Sequence, residues 1–104
     1  MDTILAMGDQ EAKPQLPPAS FDFLAGSLRV QAEMALGTIK LEEDAQPDLD
    51  MAKHFIDLMA MLEEKTKGNL TLEEHRFLEN SLTELRFRFV QVAGEQSKSK
   101  IITP

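Results

Sequence analysis

Two stretches of this chain carry apolar residues at matching intervals, and the turn between them is so short that they must face each other. In the later stretch Leu78, Leu82, Leu85, Phe89 and Val92 recur at alternating steps of four and three, the seam of a helix packed along its length. In the earlier one Ala52, Phe55, Met59 and Leu62 keep the same kind of spacing. Residues that face each other across a tight antiparallel hairpin have position numbers with a nearly constant sum. Leu62 with Leu78, Met59 with Leu82, Phe55 with Leu85 and Ala52 with Phe89 give 140, 141, 140 and 141. Both seams therefore reach the same layers from one turn, Lys67-Gly68-Asn69-Leu70-Thr71, which predicts an αα-hairpin.

The ends of both helices are marked independently of their seams. Thr71 and Glu74 have the spacing of a capping box, in which the hydroxyl accepts from the Glu74 amide and the carboxylate from the Thr71 amide. Glu73 and Glu74 sit at the positive end of that helix dipole, with Arg86 and Arg88 toward the negative end. Pro47 and Asp48 open the earlier helix, with Asp50 in its first turn. Lys65 and Lys67 close it, Glu63 is placed to pair with Lys67, and Gly68 supplies the left-handed stop. The predicted spans are about 48–67 and 71–92.

A third helix, about 20–36, precedes them, with Ser20 as its cap and Gly37 as its stop. At about 100° per residue, Phe21, Leu24, Ala25, Leu28, Ala32 and Ala35 cluster on one side, and Phe23, Val30 and Met34 on nearly the opposite side. Gly26 lies inside this helix at a cost of about 1 kcal/mol against Ala, which close packing against another backbone would explain. Ser27 is likewise small enough to permit a close approach. A helix apolar on two faces calls for two partners; the hairpin is one, and no further helix remains in the chain to be the other.

The expected fold class is therefore all-α: three helices, the last two a tight antiparallel hairpin, forming one helical domain over residues 20–92. Residues 1–19, with Pro14, Pro17 and Pro18, read as a disordered arm, and residues 93–104, from Gly94 into Gln96-Ser97-Lys98-Ser99-Lys100, as a disordered tail. The acidic linker from Thr38 to Pro47 is expected to be tacked down by Ile39 and Leu41.

A chain of 104 residues is one domain at most. It has no cysteine, hence no disulfide staple and no thiolate metal site. No apolar run approaches the ~20 residues of a membrane helix, and the amino terminus, with Asp2 and no basic stretch, is unlike a signal peptide. The cytoplasm is the expected compartment. A net charge of -7 opposes phosphate backbones and the basic residues are scattered, so neither nucleic acid nor membrane is an expected partner.

The ordered part is only about seventy residues, a size at which one core seldom stabilises by more than ~3–5 kcal/mol. Yet Phe23, Val30, Met34, Met51, Leu58, Met61, Phe77 and Phe87 stand outside the seams. Left exposed together they would exceed the patch that soluble monomers usually tolerate. Some can pack against the first helix within one chain. The simpler resolution is a symmetric self-contact, most commonly a twofold dimer, through Phe23, Val30, Met34, Met51, Leu58, Phe77 and Phe87. The expected function is thus a self-associating interaction or scaffold module, with another protein as a further class of partner.

Reactive groups are sparse. His54, with Asp50 four residues before it and Asp57 three after, shares one helix surface with both acids and has the makings of half a metal site. Paired ligand helices usually repeat such a motif and this chain does not, so a polar helix face is the preferred reading. A metal or small-molecule site using these three residues across a subunit interface is the alternative function. His75 is expected to pack over the turn. Ser27, Ser81 and Thr83 have no base arranged around them, no Gly-rich phosphate loop occurs, and Glu42, Glu43 and Asp44 lack the spacing of an EF-hand. No catalytic residue, no cofactor and no enzymatic activity are expected, since an enzyme needs a pocket with convergent polar groups.

The run Phe21-Asp22-Phe23-Leu24-Ala25-Gly26-Ser27-Leu28, followed by Gln31-Ala32 and Leu36-Gly37, resembles the opening of a small bacterial family known as domain of unknown function 1844. So does Asp48-Leu49-Asp50-Met51-Ala52-Lys53 with Ile56-Asp57 after it. The most specific match is Leu62-Glu63-Glu64-Lys65-Thr66-Lys67-Gly68-Asn69-Leu70-Thr71, with Glu74 and then Leu85-Arg86 further on. The resemblance spans roughly Phe21 to Val92. It implies a short, cytoplasmic, all-helical bacterial protein, and it carries over no activity and no catalytic residues. The family's usual proline after the first helix appears here only as Pro47, with Lys40-Leu41-Glu42 at the earlier position.

Overall fold

The computed structural model describes residues 15–102. Residues 1–14, most of the expected arm, and residues 103–104 lie outside it. Among the described residues there are three helices and no strand: α1 Phe21–Leu36, α2 Leu49–Lys65 and α3 Leu72–Ile102.

Each helix starts on a side chain that satisfies an otherwise unpaired amide. Ser20 Oγ accepts from the Phe23 N–H at 3.1 Å, and Asp48 Oδ1 from the Met51 N–H at 3.0 Å. Both halves of the capping box form at α3: Thr71 N–H donates to Glu74 Oε1 at 2.8 Å and Glu74 N–H to Thr71 Oγ1 at 3.1 Å. The end of α1 is a Schellman turn, with Gly37 at φ 84. Thr38 N–H donates to the Glu33 carbonyl at 2.9 Å and Gly37 N–H to the Met34 carbonyl at 3.1 Å. Gly68, at φ 85, takes the left-handed position in the hairpin turn.

All three helices pack on one another. The core is built from Ala25, Ala32 and Leu36 of α1, Ala52, Ile56 and Met59 of α2, and Leu78, Leu82 and Leu85 of α3. Phe55, Phe89 and Val92 lie half-buried against it. Both predicted seams line the core except at Leu62, which is half-buried outside it; Leu36 and Ile56, which stand outside the regular spacing, join them. The most extensive contact is between α1 and α2 rather than within the hairpin. Ala25, Ala32 and Ala52 are fully buried, and a methyl group at such positions lets two helix backbones approach closely. The linker closes this pair. Asp48 N–H donates to the Ala35 carbonyl at 2.7 Å, and Pro47 sits beside Gly37. Leu41 is 80% exposed and Ile39 is exposed as well, so the linker is pinned by its ends and not, as expected, by those two side chains.

Two further expectations need correction. Leu24, placed by its angle on the packed side of α1, is 47% exposed, because it lies at the rim of the buried stripe centred on Ala25 and Ala32. The chain also does not leave helical structure at Val92: α3 continues to Ile102. With 31 residues against 16 and 17 for α1 and α2, α3 is much the longest of the three. Gly94 does not take a positive φ. As a helix-interior residue it costs only about 1 kcal/mol, and no proline interrupts the segment before Pro104. Arg86 and Arg88 consequently lie mid-helix rather than toward the negative end of the dipole.

Candidate functional site

The densest polar constellation joins residues that sequence spacing could not connect. From α1, Arg29 Nη1 donates to Ser81 Oγ on α3 at 2.9 Å. Its Nη2 lies 3.0 Å from Glu84 Oε1, also on α3, and its Nε 3.6 Å from Glu33 Oε2 one turn along α1. Ser81 is fully buried, while the Arg29 side chain is 25% exposed. A planar guanidinium presents its donors as a rigid fork, which suits one arginine to three acceptors at once. A nucleophilic serine needs a base within hydrogen-bond reach; Ser81 Oγ instead accepts from a cation. The arrangement is a clamp between α1 and α3.

The metal candidates of α2 are engaged otherwise. Asp57 Oδ2 pairs with Lys53 Nζ at 2.8 Å, and the His54 ring meets the edge of Phe55 at a centroid distance of 5.5 Å. Asp50 is exposed. Among the described residues no three histidines, cysteines or acids are grouped to hold a metal ion. His75 does not bury itself over the turn: it is exposed, with Nε2 3.8 Å from Glu79 Oε2. It borders an open cleft at the hairpin corner together with Glu63, Lys67 and Arg86. That cleft carries charges of both signs, and none of these side chains is buried.

Of the residues expected at a self-contact, Phe23, Val30, Met51 and Phe87 are exposed, and Met34, Leu58 and Phe77 are half-buried. Phe77 packs against the core. Phe23 and Val30, 53% and 44% exposed, border a shallow apolar hollow on α1 whose floor is Gly26 and Ser27. Those four point away from the side of α1 that carries Ala25, Ala32 and Leu36. A second groove runs between α2 and α3, with Ile56, Phe89 and Val90 at its base and Lys53, Asp57 and Arg86 at its rim. Val90 is exposed and was not singled out by the sequence, since it lies off the seam.

No helix among the described residues is long and apolar enough to cross a membrane. Neither a curated protein nor a solved structure matches the chain. The profile described as Domain of unknown function (DUF1844) matches residues 18–91, and the chain belongs to that family.

Proposed function

We propose that this chain is a self-associating helical module whose role is to bind protein, its own copies first. The observation that carries this reading is the outer face of α1, where Phe23 and Val30 stand half in solvent on the side away from the core. Large apolar side chains grouped on one face mark interaction surfaces more often than they occur idly. A binding role is preferred to a catalytic one because the polar groups that do converge, Arg29, Glu33, Ser81 and Glu84, are paired with one another. The compartment we propose is the bacterial cytoplasm, which the family resemblance implies.

Light scattering coupled to size-exclusion chromatography tests the reading directly. The full chain is expected to run at twice its own mass and to dissociate on dilution. A single-chain mass across the whole concentration series would overturn it.

A further inference from the structure

The two depressions on the hairpin form one groove. Arg86 lines both the cleft at the corner and the apolar groove between α2 and α3, so the hollow runs from Lys67 down to Lys53 and Val90. It opens on the side of the hairpin that α1 leaves uncovered. The α3 residues that meet α1 are Ser81 and Glu84, and at 3.6 residues per turn Arg86 and Val90 stand about 120° or more from both. Along its length the groove changes character in order. From the corner come the carboxylates of Glu63 and Glu64, then the Arg86 guanidinium, then a floor of Ile56, Phe89 and Val90. Among the described residues the ion pairs engage Arg29, Lys53 and His75, and Arg86 is in none of them.

The chain ahead of α1 enters at the corner end of this groove. The hydrogen bond from Asp48 N–H to the Ala35 carbonyl holds the end of α1 against the start of α2, and both helices line one core. They therefore run antiparallel, with Phe21 at the hairpin-corner end. Going back from Phe21, the sequence presents Lys13, then Glu11 and Asp9, then Met7, Leu5 and Ile4. That order is basic, acidic, apolar, where the groove from the same end is acidic, basic, apolar.

We propose that residues 4–13 occupy this groove of their own chain. Ile4, Leu5 and Met7 cover the floor at Ile56, Phe89 and Val90, Asp9 and Glu11 pair with Arg86, and Lys13 lies over Glu63 and Glu64. The connection is long enough. Met7 to Phe21 is fourteen residue steps, which span up to about 46 Å when extended. Ile56 lies nine positions before the end of α2 at Lys65, about 14 Å along the axis, and rounding one helix adds roughly its diameter of 10–12 Å. A segment tethered this closely meets its site at an effective concentration on the order of millimolar, far above that of a second copy in dilute solution, so its own groove is the one it fills. The groove belongs to α2 and α3, and its occupation stands apart from the self-contact of α1.

The chain has no cysteine, so introduced pairs report the docking. In the full chain at low concentration, Leu5→Cys with Val90→Cys is expected to close a disulfide within one chain about tenfold faster than Leu5→Cys with Gln31→Cys. Gln31 borders the outer hollow of α1 and is much nearer residue 5 in sequence, so tether length alone favours the second pair. Arg86→Glu added to the first pair is expected to remove its advantage while the circular dichroism stays that of the folded helices, since Arg86 is exposed. Equal rates for the two pairs, a bond that joins two chains instead of one, or an Arg86→Glu variant that closes as fast as its parent each overturns the proposal. The mass of the unmodified chain in solution reads self-association separately, so either result can fail without the other.

Discussion

Arg29 and Ser81 are separated by 52 positions, and their contact shows what a single residue contributes that periodicity does not report. By spacing alone Arg29 merely interrupts the apolar surface of α1, and Ser81 looks like any polar residue beside a seam. In the folded chain the serine is fully buried and the guanidinium is its partner on the neighbouring helix. Arg29→Met leaves that hydroxyl without its cationic donor, and a buried group left unpaired costs about 1–3 kcal/mol. Urea denaturation is expected to show a loss of that order, with Ser81→Ala added to Arg29→Met recovering part of it. Strictly additive losses in the double-mutant cycle would mean that the contact contributes nothing.

At the scale of elements, α3 combines a part whose existence was readable with a part whose extent was not. Thr71 with Glu74 and the seam from Leu78 to Val92 rest on local rules, side-chain capping and the 3.6-residue period, and both appear as expected. The continuation to Ile102 leaves no such trace, because the regular apolar seam ends at Val92. The run around Gln96 and Ser97 is compositionally the same as a solvated coil. The exposure of Leu24 was illegible for a related reason: a half-turn of angular difference from the stripe centre separates core from solvent, but intermediate angles depend on where the neighbouring helices sit. Hydrogen exchange should divide α3 in two. Amides from Leu78 to Leu85 are expected to exchange only through near-global opening, and those beyond Gly94 close to the rate of an unprotected chain. Equal protection along the whole helix would require a partner on the overhang.

For the whole molecule, sequence delivered the three-helix architecture, the hairpin turn and the family, but not which pair of helices is closest. Ala25, Ala32 and Ala52 are fully buried in this packing, and alanine is too common in helices to be read as a contact before the fold is known. The same limit applies to the self-contact proposed for α1. The two-faced character of α1 follows from angles alone, whereas the hollow floored by Gly26 and Ser27 required coordinates. The hydrogen bond from Asp48 N–H to the Ala35 carbonyl has a consequence of a different kind. It fastens the two ends of the acidic connection together, so the bundle does not sense how much chain hangs between them. Lengthening a flexible loop twofold costs only about 0.6 kcal/mol, and a Gly/Ser insert of that size between Glu43 and Asp44 is expected to shift the urea midpoint by no more than this implies. An insert that abolished folding would show the connection to be structural. Otherwise it is a ready-made attachment point, where a fluorophore, an epitope or a small visiting domain can be displayed without disturbing the helices beneath.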